Sequence, residues 1–293
     1  MSVPKAILKK IRNYEIRIRK AVNAQMQGDF HSVFKGSGLE FDDVRTYQYG
    51  DDVRHIDWNV SAKGHGTFIK TFREEKEQNL FFLLDVSASQ EIGKPGQQKM
   101  DIAKEICSVL CLSGIKEQYS VGLLCFSEQK EKYVKPGKGA KHGYLMVNTL
   151  FQLQPDATKT DLNKAILQTM GMVKRKSVII MISDFLDEGY ETNLKALGHQ
   201  HDLIVIHIAD DREGKLPSLG IIPLYDKEAK KRVWVNTSSP GFRENVSKFY
   251  SQNQQALADL CHRNDINYLH IHTHEDYVPQ LIKLFRIRNQ YRK

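Results

Sequence analysis

The chain has 293 residues, 41% of them hydrophobic and 27% charged, with a formal charge of +8. That length holds one large or two modest domains, and the composition is that of an ordinary globular protein. No apolar run approaches the roughly 18 residues of a membrane span, and the amino terminus lacks an apolar signal-peptide region, so a cytoplasmic protein is expected.

Residues 5–26 set Ile7, Leu8, Ile11, Ile16, Ile18, Val22 and Met26 among basic residues, which predicts an imperfect amphipathic helix. Residues 27–66 are punctuated by glycine and read as turns. Thr67–Phe72 alternates like a strand, and residues 73–77 are a charged break. Beyond residue 77 the pattern changes to strands alternating with helices. The predicted order is strand Leu80–Asp85, helix Gln97–Lys116, strand Ser120–Phe126, edge strand Lys132–Lys135, and helices His142–Gln152 and Leu162–Val173. Strand Ser177–Ile182, helix Glu191–His199, strand Leu203–Ile208 and a hairpin (Ile221–Tyr225 with Arg232–Val235) follow. Helix Arg243–Arg263, strand Asn267–His272 and helix Val278–Arg288 complete the chain. This alternation predicts an α/β fold with a doubly wound, mostly parallel sheet over residues 78–293. An N-terminal helical and irregular extension covers residues 1–77.

The apolar run Leu80–Leu84 delivers Asp85-Val86-Ser87-Ala88-Ser89, three hard oxygen donors at one strand end. Such donors suit Mg²⁺, Mn²⁺ or Ca²⁺. In open α/β sheets, sites form outside the carboxyl ends of strands at a switch point, so other strand ends are the place to find partners. Ser177–Ile182 leads into Ser183-Asp184, and Thr160-Asp161 stands just before a helix. Thr160 can serve as a helix cap or as a hydroxyl ligand. Two carboxylates about 4 Å apart repel by about 4 kcal/mol at an effective dielectric near 20. Either one is protonated or a cation sits between them, and three nearby hydroxyls favour the cation.

Asp85-x-Ser87-x-Ser89, Thr160 in Lys-Thr-Asp-Leu and Asp184 in Ile-Ser-Asp resemble the metal-ion-dependent adhesion site of von Willebrand factor type A domains. The resemblance covers residues 78–293. It implies Asp85, Ser87, Ser89, Thr160 and Asp184 as direct or water-mediated ligands of one divalent cation, Mg²⁺ first. Asp184-Phe185 departs from the Asp-Gly frequent in that family, which puts the loop shape in question but removes no ligand. Upstream, Glu40-Phe41, Arg45-Thr46-Tyr47, Gly50-Asp51, Arg54 and Ile56-Asp57-Trp58 within residues 38–58 resemble the signature of the domain-of-unknown-function 58 family. In that family the signature precedes a von Willebrand A-like domain. The resemblance implies a non-enzymatic, metal-dependent adaptor or co-chaperone, completed by a partner's Asp or Glu, working with a MoxR-type AAA+ ATPase. Arg45, Asp51, Arg54 and Asp57 are expected either to form a buried ion-pair network or to meet a partner, with Trp58 as a core anchor.

A Mg²⁺- or Mn²⁺-dependent phosphoester hydrolase is the rival reading, with Asp161 and Asp187 as the nearest acid and base candidates. Ser87 stands where a haloacid-dehalogenase phosphatase needs a second Asp, no Walker A spacing occurs, and Ser183 has no evident His partner. The basic ends, Lys5 to Lys20 and Lys283 to Lys293, read as solvated helix faces or as a contact for nucleic acid or an anionic membrane surface. No aromatic stacking platform accompanies them, which argues against nucleic acid. His270, His272 and His274 alternate, placing three imidazoles on one strand face. They read as a hydrogen-bonded strand-end cluster or a second metal site. Cys107 and Cys111 lack a second pair and read as buried apolar thiols rather than zinc ligands.

Overall fold

The computed structural model describes residues 5, 7–13, 16, 40–62, 64, 66–73, 79–226 and 231–290. Contacts divide the chain into a small unit, residues 35–78, and a larger one made of residues 1–34 and 79–293. Among the described residues of the amino-terminal segment, one reaches the core of the larger unit. That residue is Ile11, which is fully buried. Of the helix expected over residues 5–26, residues 7–13 are described and helical, and most of the remainder lies outside the described residues.

In the small unit, β1 (Glu40–Thr46) pairs antiparallel with β2 (Phe68–Arg73), with a register shift between Phe41 and Asp43. β1 corrects the reading of residues 27–66 as turns. Its charged sequence has weak strand preference, and pairing with β2 supplies what propensity lacks. The family-signature residues make local, solvent-facing contacts. Arg45 grips Asp51 through two hydrogen bonds of 2.7 Å, and Arg54 pairs with Asp52 at 2.7 Å. Asp57 caps the short turn Trp58–Ser61 and lies 3.5 Å from Lys70. Among the described residues these pairs are local and lie near the surface, unlike a buried network. Trp58 is 71% exposed, so it is not a core anchor: the four-residue turn that carries it buries no residue.

The larger unit follows the predicted alternation: β3 (Asn79–Asp85), α1 (Lys99–Lys116), β4 (Ser120–Phe126), β5 (Lys130–Gly137), α2 (Ala140–Gln152), α3 (Leu162–Met172) and β6 (Val178–Ser183). Then come α4 (Glu191–Gln200), β7 (Asp202–Ala209), the hairpin β8 (Ile221–Asp226) and β9 (Lys231–Asn236), α5 (Pro240–Arg263), β10 (Asn267–His272) and α6 (Tyr277–Gln290). The sheet order is β10-β7-β6-β3-β4-β5, parallel throughout except for β5, which runs antiparallel to β4 at one edge.

Side chains alternate across each strand, so each face of the sheet receives its own helices. Phe82, Leu84, Val121, Leu123, Ile180 and Ile206 pack against α1, α2 and α6. Phe81, Leu83, Leu124, Ile179, Met181 and Val205 pack against α3, α4 and α5. Each fully buried Leu, Ile or Phe contributes about 1.5–3 kcal/mol. Because α1 covers one face and α4 the other, the chain leaves β3 and β6 in opposite directions. That divergence opens a crevice at their carboxyl ends.

Some basic residues near the chain ends have structural partners: Lys10 bonds Glu105 at 2.7 Å, and buried Arg288 bonds Asp202 at 2.5 Å. No described helix is long and apolar enough to cross a membrane. All four cysteines are free and buried, with the Cys111 and Cys125 thiols pushed up to about 12 by burial, so they are apolar core groups.

Candidate functional site at the β3–β6 strand ends

Asp85 is the last residue of β3, and Asp184 follows the last residue of β6. The two strands are hydrogen-bonded neighbours with Leu84 opposite Ile182, so register brings both carboxylates to adjacent strand ends. Both are buried. Ser87 donates its backbone N–H to Asp85 Oδ1 at 2.9 Å, which curls the chain back over the strand end. The Ser87 and Ser89 hydroxyls lie 3.1 Å apart, and the Ser89 hydroxyl also meets Asp184. Ser183 donates its hydroxyl to Asp85 Oδ2 at 2.6 Å. Asp85, Ser87, Ser89 and Asp184 therefore form one contiguous cluster.

Thr160 lies in the loop leading into α3. That loop is tied to the serine turn, because Ala88 donates its N–H to the Thr158 carbonyl at 2.9 Å. Glu131 of β5 steadies the same loop, accepting the N–H groups of Asp156 and Ala157 at 2.9 and 3.1 Å. Asp161 caps α3 by accepting the Lys164 N–H at 2.7 Å. Asp187 accepts the Leu162 N–H at 2.8 Å, joining the loop after β6 to the start of α3.

The charge-bearing residue that sequence patterns missed is Lys99, at the first position of α1. Its side chain is fully buried, and Nζ donates to Asp184 Oδ2 at 2.6 Å and to Glu213 Oε1 at 2.5 Å. Glu213, in the short helical turn Asp211–Gly214, was missed as well; it also accepts the Asp210 N–H at 3.0 Å. A lysine at the start of a helix meets the positive end of the helix dipole, an unfavourable place unless a carboxylate compensates. That position was the one available hint.

The electrostatics follow from burial and pairing. Burial, and then the neighbouring Asp184, push Asp85 up to about 7. Burial works against an Asp184 carboxylate too, but Lys99 overcomes it and holds Asp184 below the usual range. Glu213 is raised because burial outweighs its contact with Lys99. Burial also disfavours the Lys99 ammonium, and its two carboxylate partners more than reverse this. Asp184 and Glu213 thus share one buried ammonium, with a third buried carboxyl group, Asp85, beside Asp184.

Phe185, in place of glycine, has φ of 53°, in the left-handed region that glycine favours. The turn keeps a glycine-like backbone, and the fully buried phenyl ring packs 6.0 Å from both Tyr190 and His207. Beside Asp184 a cavity of about 360 Å³ opens toward His207, Asp211, His270, His272 and His274. Burial pushes His207 down to about 3 and His270 to about 4, so both imidazoles are neutral at physiological pH.

A parallel sheet of this strand order, closed at one edge by an antiparallel strand and covered by helices on both faces, is that of a von Willebrand A-like domain. The chain belongs to the family described as Protein of unknown function DUF58, which matches residues 43–256. It is 23% identical over 283 residues to the uncharacterized protein Rv1480 of Mycobacterium tuberculosis, a match covering 96% of this chain and 89% of that one. Among solved structures it is similar to the conserved hypothetical protein BatB from Bacteroides thetaiotaomicron, at 14% identity and a TM-score of 0.49. That match spans 73% of this chain and 99% of BatB. It is also similar to the SpRpn10 VWA domain, at 11% identity and a TM-score of 0.42, over 70% of this chain and 93% of that domain.

Proposed function

We propose that this protein is a non-enzymatic interaction module that holds a divalent cation at the β3–β6 strand ends through Asp85, Ser87, Ser89, Thr160 and Asp184. The carrying observation is the excess of buried negative charge. Asp184 and Glu213 share the Lys99 ammonium, Asp85 lies beside Asp184, and one divalent cation would bring three ionised carboxylates and the ammonium to neutrality. Hydroxyl and carboxylate oxygens match Mg²⁺, with Mn²⁺ or Ca²⁺ as substitutes. When bound, the cation supplies a Lewis-acidic coordination position that a partner's Asp or Glu can fill.

The chain's own groups prepare that position. Lys99 keeps Asp184 ionised while holding one of its two oxygens. The Ser87 N–H and Ser183 hydroxyl fix the plane of the Asp85 carboxyl. Asp161 and Asp187, the nearest candidates for a hydrolytic acid and base, spend carboxylate oxygens on backbone N–H groups, which favours binding over phosphoester hydrolysis. The family resemblance adds a MoxR-type AAA+ ATPase as the partner, and with it a cytoplasmic adaptor or co-chaperone role.

Calorimetric titration with Mg²⁺ tests the cation, and co-purification of the ATPase with and without EDTA tests the partner. Mg²⁺ binding should vanish in Asp85→Ala and weaken in Thr160→Ala, and the complex should dissociate in EDTA. A complex indifferent to EDTA and to both substitutions sinks this reading. So does turnover of generic phosphoesters under Mg²⁺ or Mn²⁺.

A further inference from the structure

We infer that Asp211, His272 and His274 form a second metal site, for a borderline divalent cation of the Zn²⁺ type, at the carboxyl ends of β7 and β10. It shares no residue with the proposed oxygen-donor site and uses a softer donor set.

The sheet builds the cluster. β7 and β10 are parallel neighbours, with Ala209 opposite His272. Their pairing continues past the strand ends: Thr273 donates its N–H to the Ala209 carbonyl at 3.0 Å and its hydroxyl to Asp210 Oδ2 at 2.5 Å. Those two bonds clamp the segments that follow each strand, so Asp211 is held beside His272 and His274. His270, His272 and His274 lie along one face with successive ring centroids 4.6 and 5.5 Å apart, as alternation requires.

The donor atoms already converge. His272 Nδ1 lies 3.0 Å from Asp211 Oδ1, and one ligand atom from each of the three residues lies within 4.8 Å of the others. Bonds of about 2.0–2.1 Å to a tetrahedral ion place ligand atoms about 3.3–3.4 Å apart. The Asp211–His272 pair is near that spacing. The remaining contraction, up to about 1.4 Å, falls to His274, whose side chain is exposed. Lys215 approaches the other Asp211 oxygen, Oδ2, at 3.3 Å and leaves Oδ1 facing His272. Two imidazoles and one carboxylate suit Zn²⁺ better than Mg²⁺, and three protein ligands leave a position open. All three residues line the same cavity as Asp184.

The test uses the full chain, free of tags and stripped of metal, with Mg²⁺ in excess to fill oxygen-donor sites. Zn²⁺ binding is measured by competition against a chelating dye, and Co²⁺ absorption reports the coordination geometry. Stoichiometric Zn²⁺ binding and a tetrahedral Co²⁺ spectrum are expected. Asp211→Asn, His272→Ala and the exposed His274→Ala should each weaken Zn²⁺ binding at least about tenfold, a loss that even outer-shell changes produce. The surface control His199→Ala should leave it unchanged. Unaltered affinity in His272→Ala and His274→Ala overturns the assignment, as does an equal loss of Zn²⁺ binding in His199→Ala.

Discussion

Replacing Lys99 by methionine removes the ammonium that bridges Asp184 and Glu213 while keeping most of the side-chain volume. Both carboxylates are then buried without their cation, beside a third at Asp85. Removing one partner of a buried pair typically destabilises by about 3–5 kcal/mol, because the other charge is left uncompensated. Here two partners are stranded, so the upper half of that range is expected at neutral pH in EDTA. With about 2–4 °C per kcal/mol for a domain of this size, the melting midpoint should fall by roughly 10 °C. Thermal and urea unfolding followed by circular dichroism would measure it. The deficit should shrink as pH falls, since the stranded carboxylates can then take up protons. Mg²⁺ should raise the midpoint of Lys99→Met more than that of the wild type, because the cation would replace the missing charge. A variant within about 1 kcal/mol of the wild type at pH 7.5 in EDTA would refute the buried-charge reasoning, since that is the scale of an exposed pair.

Asp85→Asn keeps the side-chain shape and removes a charge that burial disfavours. In EDTA at pH 8 it should be at least as stable as the wild type by urea unfolding, yet show no thermal shift with Mg²⁺; a marked loss of stability in EDTA would contradict the assignment. The pH profile follows from the same residue. Asp85 is raised from 3.8 to about 7, so the folded state holds its proton longer than the unfolded chain. Metal-free stability should therefore decline as pH rises from about 4 to 7, by at most on the order of 4 kcal/mol. Asp184 is shifted the opposite way, and its contribution is lost on acidification below its ordinary value. Mg²⁺ should flatten the decline above pH 5, and a flat metal-free profile between pH 5 and 7 would argue against a buried, uncompensated Asp85. Phe185→Gly should relieve about 1–2 kcal/mol of left-handed backbone cost while losing about 3–5 kcal/mol of ring burial, a net destabilisation of roughly 2–3 kcal/mol. A variant that melts above the wild type would show that the ring contributes little.

The strands of the main sheet were legible because buried parallel strands read as continuous runs of Val, Ile and Leu, as in Val178–Ile182 and Leu203–Ile208. The positions of Asp85 and Asp184 were legible for a related reason: once two such strands are placed side by side, the residues that end them must meet. Lys99 was not legible, since one lysine among several near a helix start carries no mark of burial apart from its unfavourable place in the helix dipole. Glu213 sits in a four-residue turn too short to show periodicity. Trp58 misled in the opposite direction. A large aromatic residue suggests core, but burial depends on what surrounds it, and the turn that carries it offers no buried position. β1 was hidden because its charged residues look like loop and only the pairing with β2 makes them a strand.

The four free cysteines have a practical corollary. Cys107, Cys111 and Cys125 belong to the apolar layer on one side of the sheet, and Cys261 to the layer on the other. None can react with an alkylating reagent until its own layer opens. Time-resolved alkylation read by mass spectrometry would therefore time the opening of each layer separately, with no engineered probe, and would reveal whether the sheet loses both of its coverings at once.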